Sequence, residues 1–346
     1  MSMRDPFSPT SPTTAGLPTG APVLEVDDLH VEFRTPRGVL YAVNGVSWSL
    51  VPGETLAILG ESGSGKSVSA QAIMGLIDSP PGFVTRGTIR FRGDDLLTMS
   101  EEARRKLRGE GVAMIFQDAL TALNPVFTVG WQIAETYRVH RGASRKEAYN
   151  RAAELLDRVG IPSARERLNS YPHEFSGGMR QRAMIAMALA LEPEVLIADE
   201  PTTALDVTVQ AQIMDLLQDL QAELGMGLVL ITHDLAVVAD VADRVAVMYA
   251  GRIVETGAVV DVFTEPAHPY TFGLMHSIPP LERRVERLDP IPGVPPSPAR
   301  IPPGCPFHPR CAFARDVCHE EEPPLERVAD GRGSACHFWE EVKGAR

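Results

Sequence analysis

The stretch Gly60-Glu61-Ser62-Gly63-Ser64-Gly65-Lys66-Ser67 decides the fold class of this chain. It matches the pattern G-x-x-x-x-G-K-[ST] and follows the short apolar run Thr55–Leu59 (TLAIL). The residues after it, SVSAQAIMGLI, have a helical pattern. A buried strand, a glycine-rich loop and a helix in this order are the context in which the pattern binds nucleoside triphosphates.

Each residue type in this loop has a defined task. Glycines let the backbone turn its N–H groups inward as a nest for phosphates, and the following helix adds the positive end of its dipole. Lys66 reaches the β- and γ-phosphates, and the Ser67 hydroxyl coordinates Mg²⁺. The alternative, a glycine-rich turn with a chance Lys-Ser pair, is disfavoured by the flanking strand and helix.

Composition sets limits on the rest of the chain. The protein has 346 residues, 44% of them hydrophobic, and a formal net charge of −12. Such a length predicts about two domains with a buried core. A net-acidic chain is a poor general nucleic-acid binder, because phosphate neutralisation requires surplus Lys and Arg.

No segment predicts a membrane span or a secretion signal. The longest apolar run, Ala183–Leu191, ends at Glu192 and Pro193 and is about half of the roughly 20 residues that a span needs. Residues 1–21 are rich in Pro, Ser and Thr, have no apolar core of a leader peptide, and predict a disordered tail. We therefore expect the protein to stay on the cytosolic side.

Apolar runs alternate with helical patterns along most of the chain, which predicts a parallel α/β sheet. Strands are predicted at LEVDDLHVEF, TLAIL, TIRFRG, VLIA, LVLI and RVAVMYA, the last followed by a tight Ala250-Gly251 turn into GRIVETG. Val207–Leu224 has a helical pattern, and residues from about 119 to 175 form a charged, mainly helical insertion. After about residue 260 prolines become frequent, and long regular elements are not expected.

Two acidic residues follow the apolar strand pattern VLIA. Asp199 has the position of a carboxylate that holds Mg²⁺. Glu200 lies one residue further, where it can polarise a water molecule in line with the γ-phosphate. Two solvated acids at a strand end are the alternative, which is disfavoured because the pair follows a phosphate loop.

Between these motifs lies Phe175-Ser176-Gly177-Gly178-Met179, and with it the chain resembles the nucleotide-binding subunits of ATP-binding-cassette (ABC) transporters. The family signature is usually LSGGQ, so Phe175 and Met179 depart from it while Ser-Gly-Gly is kept. Further family motifs follow in order: Gln117 resembles the Q-loop glutamine, Thr203-Ala204-Leu205-Asp206 the D-loop, and His233 the switch histidine. The resemblance covers about Leu24 to Gly257.

The resemblance implies a P-loop NTPase (RecA-like) core with an antiparallel β subdomain, an α-helical insertion and an irregular, cysteine-containing C-terminal domain. The implied bounds are 22–258 for the ATP-binding domain, about 119–178 for its helical subdomain, and 259–346 for the C-terminal domain. It implies ATP hydrolysis with Glu200, His233 and Gln117 as catalytic residues, and Mg²⁺ held by Ser67, Gln117 and Asp199.

The signature residues Ser176, Gly177, Gly178 and Met179 are implied to bind the ATP held by a second ATPase subunit, so that a head-to-tail pair encloses two ATP molecules. Many family members stack an aromatic residue on adenine just before the first core strands. Arg37 is near that position and Tyr41 is the nearest aromatic residue, so either one is a candidate.

Local sequence narrows the resemblance to ATPase subunits of bacterial dipeptide and oligopeptide importers. The segments GESGSGKSVSAQAIMGLI, FQDALTALNP and His268-Pro269-Tyr270 carry it. The implied partners are a paralogous second ATPase, two integral-membrane permease subunits and an extracytoplasmic solute-binding protein, with the chain peripheral on the cytoplasmic face of the inner membrane. Nickel, glutathione or another small solute is the alternative cargo, and a soluble non-transport ABC ATPase is the alternative class.

Four cysteines lie near the end of the chain, Cys305, Cys311, Cys318 and Cys336, separated by five, six and seventeen residues. Disulfides are not expected in a cytosolic protein. Four thiolates suit Zn²⁺ or an iron–sulfur cluster, and the wide spacing, together with the resemblance to importer ATPases, favours a 4Fe–4S cluster. Zinc and free thiols stay open as alternatives. A metal centre here would hold together a proline-rich segment with little apolar mass.

Overall fold

We analysed a computed structural model of the chain, in which residues 20–203, 205–277 and 290–345 are described. The predicted tail, residues 1–21, lies outside these ranges except for Gly20 and Ala21. In the described ranges, no helix combines the length and the apolarity needed to cross a membrane.

The strands and helices alternate over most of the chain, as predicted. The strands are β1 Leu24–Thr35, β2 Gly38–Leu50, β3 Thr55–Leu59, β4 Gly82–Phe91, β5 Asp94–Asp95, β6 Val112–Ile115, β7 Val195–Asp199, β8 Gly227–Thr232, β9 Arg244–Tyr249, β10 Arg252–Ala258, β11 Glu326–Ala329 and β12 Arg332–Ser334. The helices are α1 Lys66–Met74, α2 Glu101–Glu110, α3 Ala119–Ala122, α4 Val129–Arg141, α5 Arg145–Arg158, α6 Ala164–Arg167, α7 Gly177–Ala188, α8 Val207–Leu224, α9 Leu235–Val241, α10 Val259–Thr264, α11 Pro269–His276, α12 Asp316–Glu320 and α13 Trp339–Gly344.

Two sheets organise these elements. The first is antiparallel, in the order β2-β1-β4-β5, and the second has the order β11-β12-β10-β9-β3-β8-β7-β6. Its central strands β9, β3, β8, β7 and β6 are parallel, so their carboxyl ends share one edge. The predicted α/β class with an antiparallel subdomain is confirmed.

The central strands are buried on both faces, as their uninterrupted apolar runs require. Alternate residues of β3 and β7 enter different cores. Leu56, Ile58 and Ile197 pack toward the antiparallel sheet and α1. Leu196 and Ala198 pack toward α4, α5, α7 and α8. The helices of the insertion therefore share one core with the sheet that carries the phosphate loop.

The C-terminal region joins the same sheet. Strand β12 pairs with β10 at Glu255↔Ser334 and Thr256↔Gly333 and forms a hairpin with β11. A third apolar cluster connects the region to the central strands through the rings of Tyr249, Tyr270 and Phe307. The segments from residue 290 onward are otherwise short, as the proline content predicts.

Candidate functional site

The phosphate loop joins β3 to α1 and approaches two neighbouring backbones closely. Gly65 has φ 103° and begins the helix at Lys66. A Cβ there would lie 2.2 Å from the carbonyl oxygen of Ala42, and one at Gly60 would lie 2.2 Å from that of Met248. Only glycine fits at these two positions.

The Lys66 side chain folds back over the phosphate loop. Its Nζ donates hydrogen bonds to the carbonyl oxygens of Gly60, at 2.8 Å, and Glu61, at 3.0 Å. Burial lowers the Lys66 pKa, and the negative charges of Glu200, Asp199 and Glu61 oppose that shift. The cation is thus held at the concave side of the loop, where a triphosphate gives it a stronger partner.

Ser67 and Asp199, two of the three predicted magnesium ligands, lie within hydrogen-bonding distance of each other. The Ser67 hydroxyl donates to Asp199 Oδ1 at 3.0 Å, across 132 positions of sequence. Burial raises the Asp199 pKa, and the hydrogen bond from Ser67 opposes the shift. One carboxylate and one hydroxyl beside a phosphate loop fit Mg²⁺, which takes few protein ligands and completes its shell with phosphates and water.

Glu200 is the point at which three separate segments meet. Its carboxylate accepts hydrogen bonds from Gln117 Nε2 at 3.0 Å and Thr203 Oγ1 at 2.8 Å, and lies 3.3 Å from His233 Nδ1. Its backbone has φ 45° and its N–H donates to the carbonyl oxygen of Ile231. The strained backbone directs the side chain past the strand end.

These contacts also set the charge of Glu200. Burial raises the pKa of its carboxyl, but hydrogen bonds from Thr203 and His233 and the charge of Lys66 outweigh burial, so the pKa is lowered. The group is ionised at neutral pH and can accept a proton from water. Gln117, Glu200 and His233, predicted separately, therefore form one hydrogen-bonded group.

The signature residues do not join this group. Ser176 caps α7, and its Oγ accepts a hydrogen bond from the Met179 N–H at 3.3 Å. Among the described residues, no hydrogen bond connects residues 176–179 to the phosphate loop, Asp199 or Glu200. Instead the glycines face the D-loop and the start of α8, since a Cβ on Gly177 would lie 3.6 Å from Leu205 and one on Gly178 would lie 2.9 Å from Val209.

Asp206 has a structural contact of its own. It caps α8, and its Oδ1 accepts a hydrogen bond from the Val209 N–H at 2.9 Å. The signature and the D-loop thus form a surface that is separate from the phosphate loop of the same chain.

The two adenine candidates differ in position. Tyr41 is 47% exposed and precedes Ala42, the residue whose carbonyl oxygen crowds Gly65. Arg37 lies in the exposed turn between β1 and β2, where its N–H donates to Thr35 Oγ1. Proximity to the phosphate loop favours Tyr41 as the stacking residue.

The four cysteines are free thiols and line one cavity, together with Phe307, Phe313, Phe338 and His308. The cavity volume is about 10 Å³, and the free space among the lining atoms, which includes open solvent, is about 310 Å³. Burial raises the pKa of Cys311 to about 11 and that of Cys336 to about 12. Within residues 20–203, 205–277 and 290–345, no three His, Cys, Asp or Glu side chains are close enough to form a ready metal-binding group. The predicted cluster site is therefore not preassembled, although its four thiols share a cavity.

Sequence reasoning missed a second set of contacts on the phosphate loop. The Glu61 N–H donates to Tyr270 Oη at 2.9 Å, and the Glu61 carboxylate pairs with Arg310. Tyr270 belongs to the His-Pro-Tyr motif, which indicated a family but no contact. No local signal in the sequence predicts a pair that is 249 positions apart.

Comparisons with known proteins agree with this geometry. Residues 43–203 match the ABC transporter family, and residues 254–318 match the family described as the oligopeptide/dipeptide transporter C-terminal region. A putative peptide import ATP-binding protein from Brucella abortus (strain 2308) is 54% identical over 332 residues, covering 93% of this chain and 98% of the relative. The oligopeptide transport ATP-binding protein OppD of Bacillus subtilis (strain 168) is 55% identical over 309 residues, covering 89% of this chain and 86% of the relative.

Solved structures match the core. A dimeric bacterial ABC transporter cassette, MJ0796, superposes with a TM-score of 0.61 and 29% identity over 68% of this chain and 98% of that one. The same cassette in a post-hydrolysis dimer with ADP and Pi gives the same TM-score of 0.61. The chain carries the phosphate loop and the Asp199–Glu200 pair, and its relatives match it at this identity and coverage. The chain is therefore an ATPase of the ABC transporter family.

Proposed function

We propose that this chain is the ATPase subunit that powers import of dipeptides or oligopeptides through a membrane ABC transporter. The observation that carries the catalytic part is the Glu200 carboxylate, hydrogen-bonded by Gln117 and Thr203 beside the Lys66–Ser67–Asp199 group. The cargo class is supported by the C-terminal family match and by the names of the relatives.

The residues divide the chemistry as follows. The backbone of residues 60–67 and the Lys66 amine bind the triphosphate, and Ser67, Asp199 and Gln117 hold Mg²⁺, which neutralises phosphate charge when bound. Glu200 takes a proton from the attacking water, and His233, 3.3 Å from Glu200, is the proposed contact of the γ-phosphate. Tyr41 stacks on adenine, with Arg37 as the second candidate.

Ser176, Gly177, Gly178 and Met179 complete the site of a partner ATPase subunit. The lack of any hydrogen bond from these residues to the phosphate loop of the same chain, among the described residues, supports this. The N–H groups at a helix start can bind an anion of another subunit. ATP then closes the pair and hydrolysis reopens it. We propose a paralogous partner, and the dimer of the cassette MJ0796 is a precedent for pairing.

The permease contact is proposed on the helical region. Leu120 is 59% exposed and Val126 is 70% exposed, and the rings of Phe127 and Trp131 stack at 4.2 Å. Phe127 and Trp131 line a shallow groove with Asn124, seven positions after Gln117, and Leu120 and Val126 are exposed in the same stretch of chain. A permease loop in this groove would connect membrane motion to the Glu200 group through Gln117. The chain would then be peripheral on the cytoplasmic face of the membrane, and nucleic acid is not a proposed partner.

For the C-terminal region we propose domain bounds of 259–346, after an ATP-binding domain of 22–258 with a helical subdomain at about 119–178. We also propose that Cys305, Cys311, Cys318 and Cys336 hold a 4Fe–4S cluster, with Zn²⁺ as the alternative. The shared cavity and the purely thiol donor set support it. Iron and sulfide analysis of anaerobically purified chain tests it: about four iron atoms per chain are expected, and zinc alone would favour the alternative.

Transport in proteoliposomes tests the main proposal. The chain is reconstituted with its permease subunits, its partner ATPase and its binding protein, and ATP-dependent uptake of a labelled tripeptide is measured. We expect unlabelled peptides to compete with this uptake, and nickel and glutathione not to compete. Competition by nickel or glutathione alone would instead identify the cargo as one of those solutes.

A further inference from the structure

Glu61, the second residue of the phosphate loop, is held from three directions. Its carbonyl oxygen accepts a hydrogen bond from Lys66 Nζ, its N–H donates to Tyr270 Oη at 2.9 Å, and its carboxylate pairs with Arg310. Tyr270 and Arg310 both belong to the C-terminal region. The loop that binds ATP is therefore anchored to a part of the chain outside the ATP-binding core.

The Glu61–Arg310 pair has the geometry of a strong ion pair. Arg310 Nη1 lies 2.7 Å from Glu61 Oε2, and Nη2 lies 3.1 Å from Oε1, so both guanidinium nitrogens bind the carboxylate in parallel. The Arg310 side chain is 5% exposed and that of Glu61 28% exposed. Solvent screens such a pair far less than it screens a surface salt bridge.

Arg310 is itself held rigidly. Its Nε donates to the Pro292 carbonyl oxygen at 2.9 Å, and Nη1 lies 3.4 Å from Tyr249 Oη. Its guanidinium lies over the Phe307 ring at 5.9 Å from the centroid. Phe307 lines the cysteine cavity, and Cys311 directly follows Arg310 in the chain.

The C-terminal region also contacts the strand of the adenine candidate. The Tyr41 N–H donates to the Pro298 carbonyl oxygen at 3.0 Å. The region thus contacts the strand that carries the adenine candidate as well as the loop that binds the phosphates.

We propose that Arg310 is a positioning residue of the ATP site: it holds Glu61 and neutralises its charge, so that the C-terminal cysteine region sets the affinity of the phosphate loop for ATP. Without Arg310, a partly buried carboxylate would stand unpaired in the loop that receives the triphosphate. Like charges at that range repel, and the loop would lose an anchor that orders it before ATP binds. The inference rests on ATP binding at residues 60–67 and not on the identity of the cargo.

Arg310→Met in the full chain tests the proposal by titration with fluorescent MANT-ATP and Mg²⁺. We expect about tenfold weaker binding, the size of one lost charge-assisted contact. Arg310→Lys keeps the charge but not the paired geometry, and its affinity should lie between those of Arg310→Met and the wild type. Arg327→Met is the matched control, because Arg327 lies on β11 in the same region and pairs only with its neighbours.

A double-mutant cycle separates positioning from general damage. Glu61→Gln combined with Arg310→Met should bind MANT-ATP more tightly than Arg310→Met alone, because the unpaired carboxylate is gone. In the assembled transporter, KM for ATP should rise while kcat stays within about twofold, since Arg310 contacts neither Asp199 nor Glu200. Wild-type affinity in Arg310→Met, strictly additive effects in the cycle, or an equal loss in Arg327→Met would each overturn the proposal. Failure of peptide transport alone would leave these binding results unchanged and would count only against the cargo assignment.

Discussion

Gln117 Nε2 donates a hydrogen bond to Glu200 Oε2 at 3.0 Å, joining two residues that are 83 positions apart. Gln117 follows β6 at the point where the chain enters the helical region, and Glu200 follows β7 at the neighbouring strand end. A movement of the helical region that displaces Gln117 is therefore expected to change a hydrogen bond of the Glu200 carboxylate, the group proposed to activate water. In the proposed transporter, this contact would connect the permease directly to the carboxylate.

Glu200→Gln should keep ATP binding and lower turnover by about a hundredfold or more, because an amide cannot accept the proton of water. Phosphate release by the assembled transporter and MANT-ATP titration measure the two effects. Glu194→Gln is the control, since Glu194 precedes the start of the same strand and forms only an exposed pair with Arg92. Near-normal turnover in Glu200→Gln would remove Glu200 from the role of base.

Thr203→Val should move the acid limb of the pH–rate profile to higher pH. The hydrogen bond from Thr203 helps to hold the Glu200 pKa below its usual value, so turnover in the wild type falls only when the pH drops through that lowered pKa. Without the bond the pKa rises, and protonation begins at a higher pH. Turnover on the alkaline side should change little, and an unshifted acid limb would mean that Glu200 does not set it.

Ser176→Arg should leave MANT-ATP affinity of the isolated chain unchanged and lower turnover of the assembled transporter at least about tenfold. The reason is that Ser176, within the described residues, makes no hydrogen bond to the phosphate loop of its own chain, whereas its helix start is proposed to bind the partner's nucleotide. Ser144→Arg is a matched control: Ser144 also caps a helix of the helical region, and its loss costs about 1 kcal/mol of stability. Weaker ATP binding by the isolated Ser176→Arg chain would contradict the assignment.

Arg332→Met should lower the free energy of unfolding by about 3–5 kcal/mol, because it leaves the fully buried Glu255 carboxylate without its cation. Arg332 Nη2 lies 3.0 Å from Glu255 Oε1, and the carboxylate also accepts from the N–H groups of Ala267 and His268. Urea unfolding followed by circular dichroism measures the loss. Adding Glu255→Gln should recover part of it, and an unchanged midpoint in Arg332→Met would show that the pair contributes nothing.

The sequence predicted the elements whose signals are local. Strand β3 and helix α8 have the predicted bounds, because an uninterrupted apolar run and a long amphipathic pattern each identify one element. Strand β6 was not predicted, because four apolar residues after a charged helix give too short a signal.

Contacts between segments that are distant in the chain could not be predicted from the sequence. The structure brings Gln117, Glu200 and His233 together, because carboxyl ends of parallel strands meet at one edge. No motif predicts the Glu61–Arg310 pair, since the pair depends on how the C-terminal region folds back over the core. The signature is predicted to act on another chain, and among the described residues it makes no hydrogen bond to its own phosphate loop; its role stays a prediction.

Strand β12 has a consequence for the order of folding. It pairs with β10 and brings the cation for Glu255 from 77 positions further along the chain. Until β12 docks, β10 is an open sheet edge beside an uncompensated acid, and such an edge can mispair with other chains. A chain in which β12 has not yet docked is therefore expected to be a poor partner for assembly.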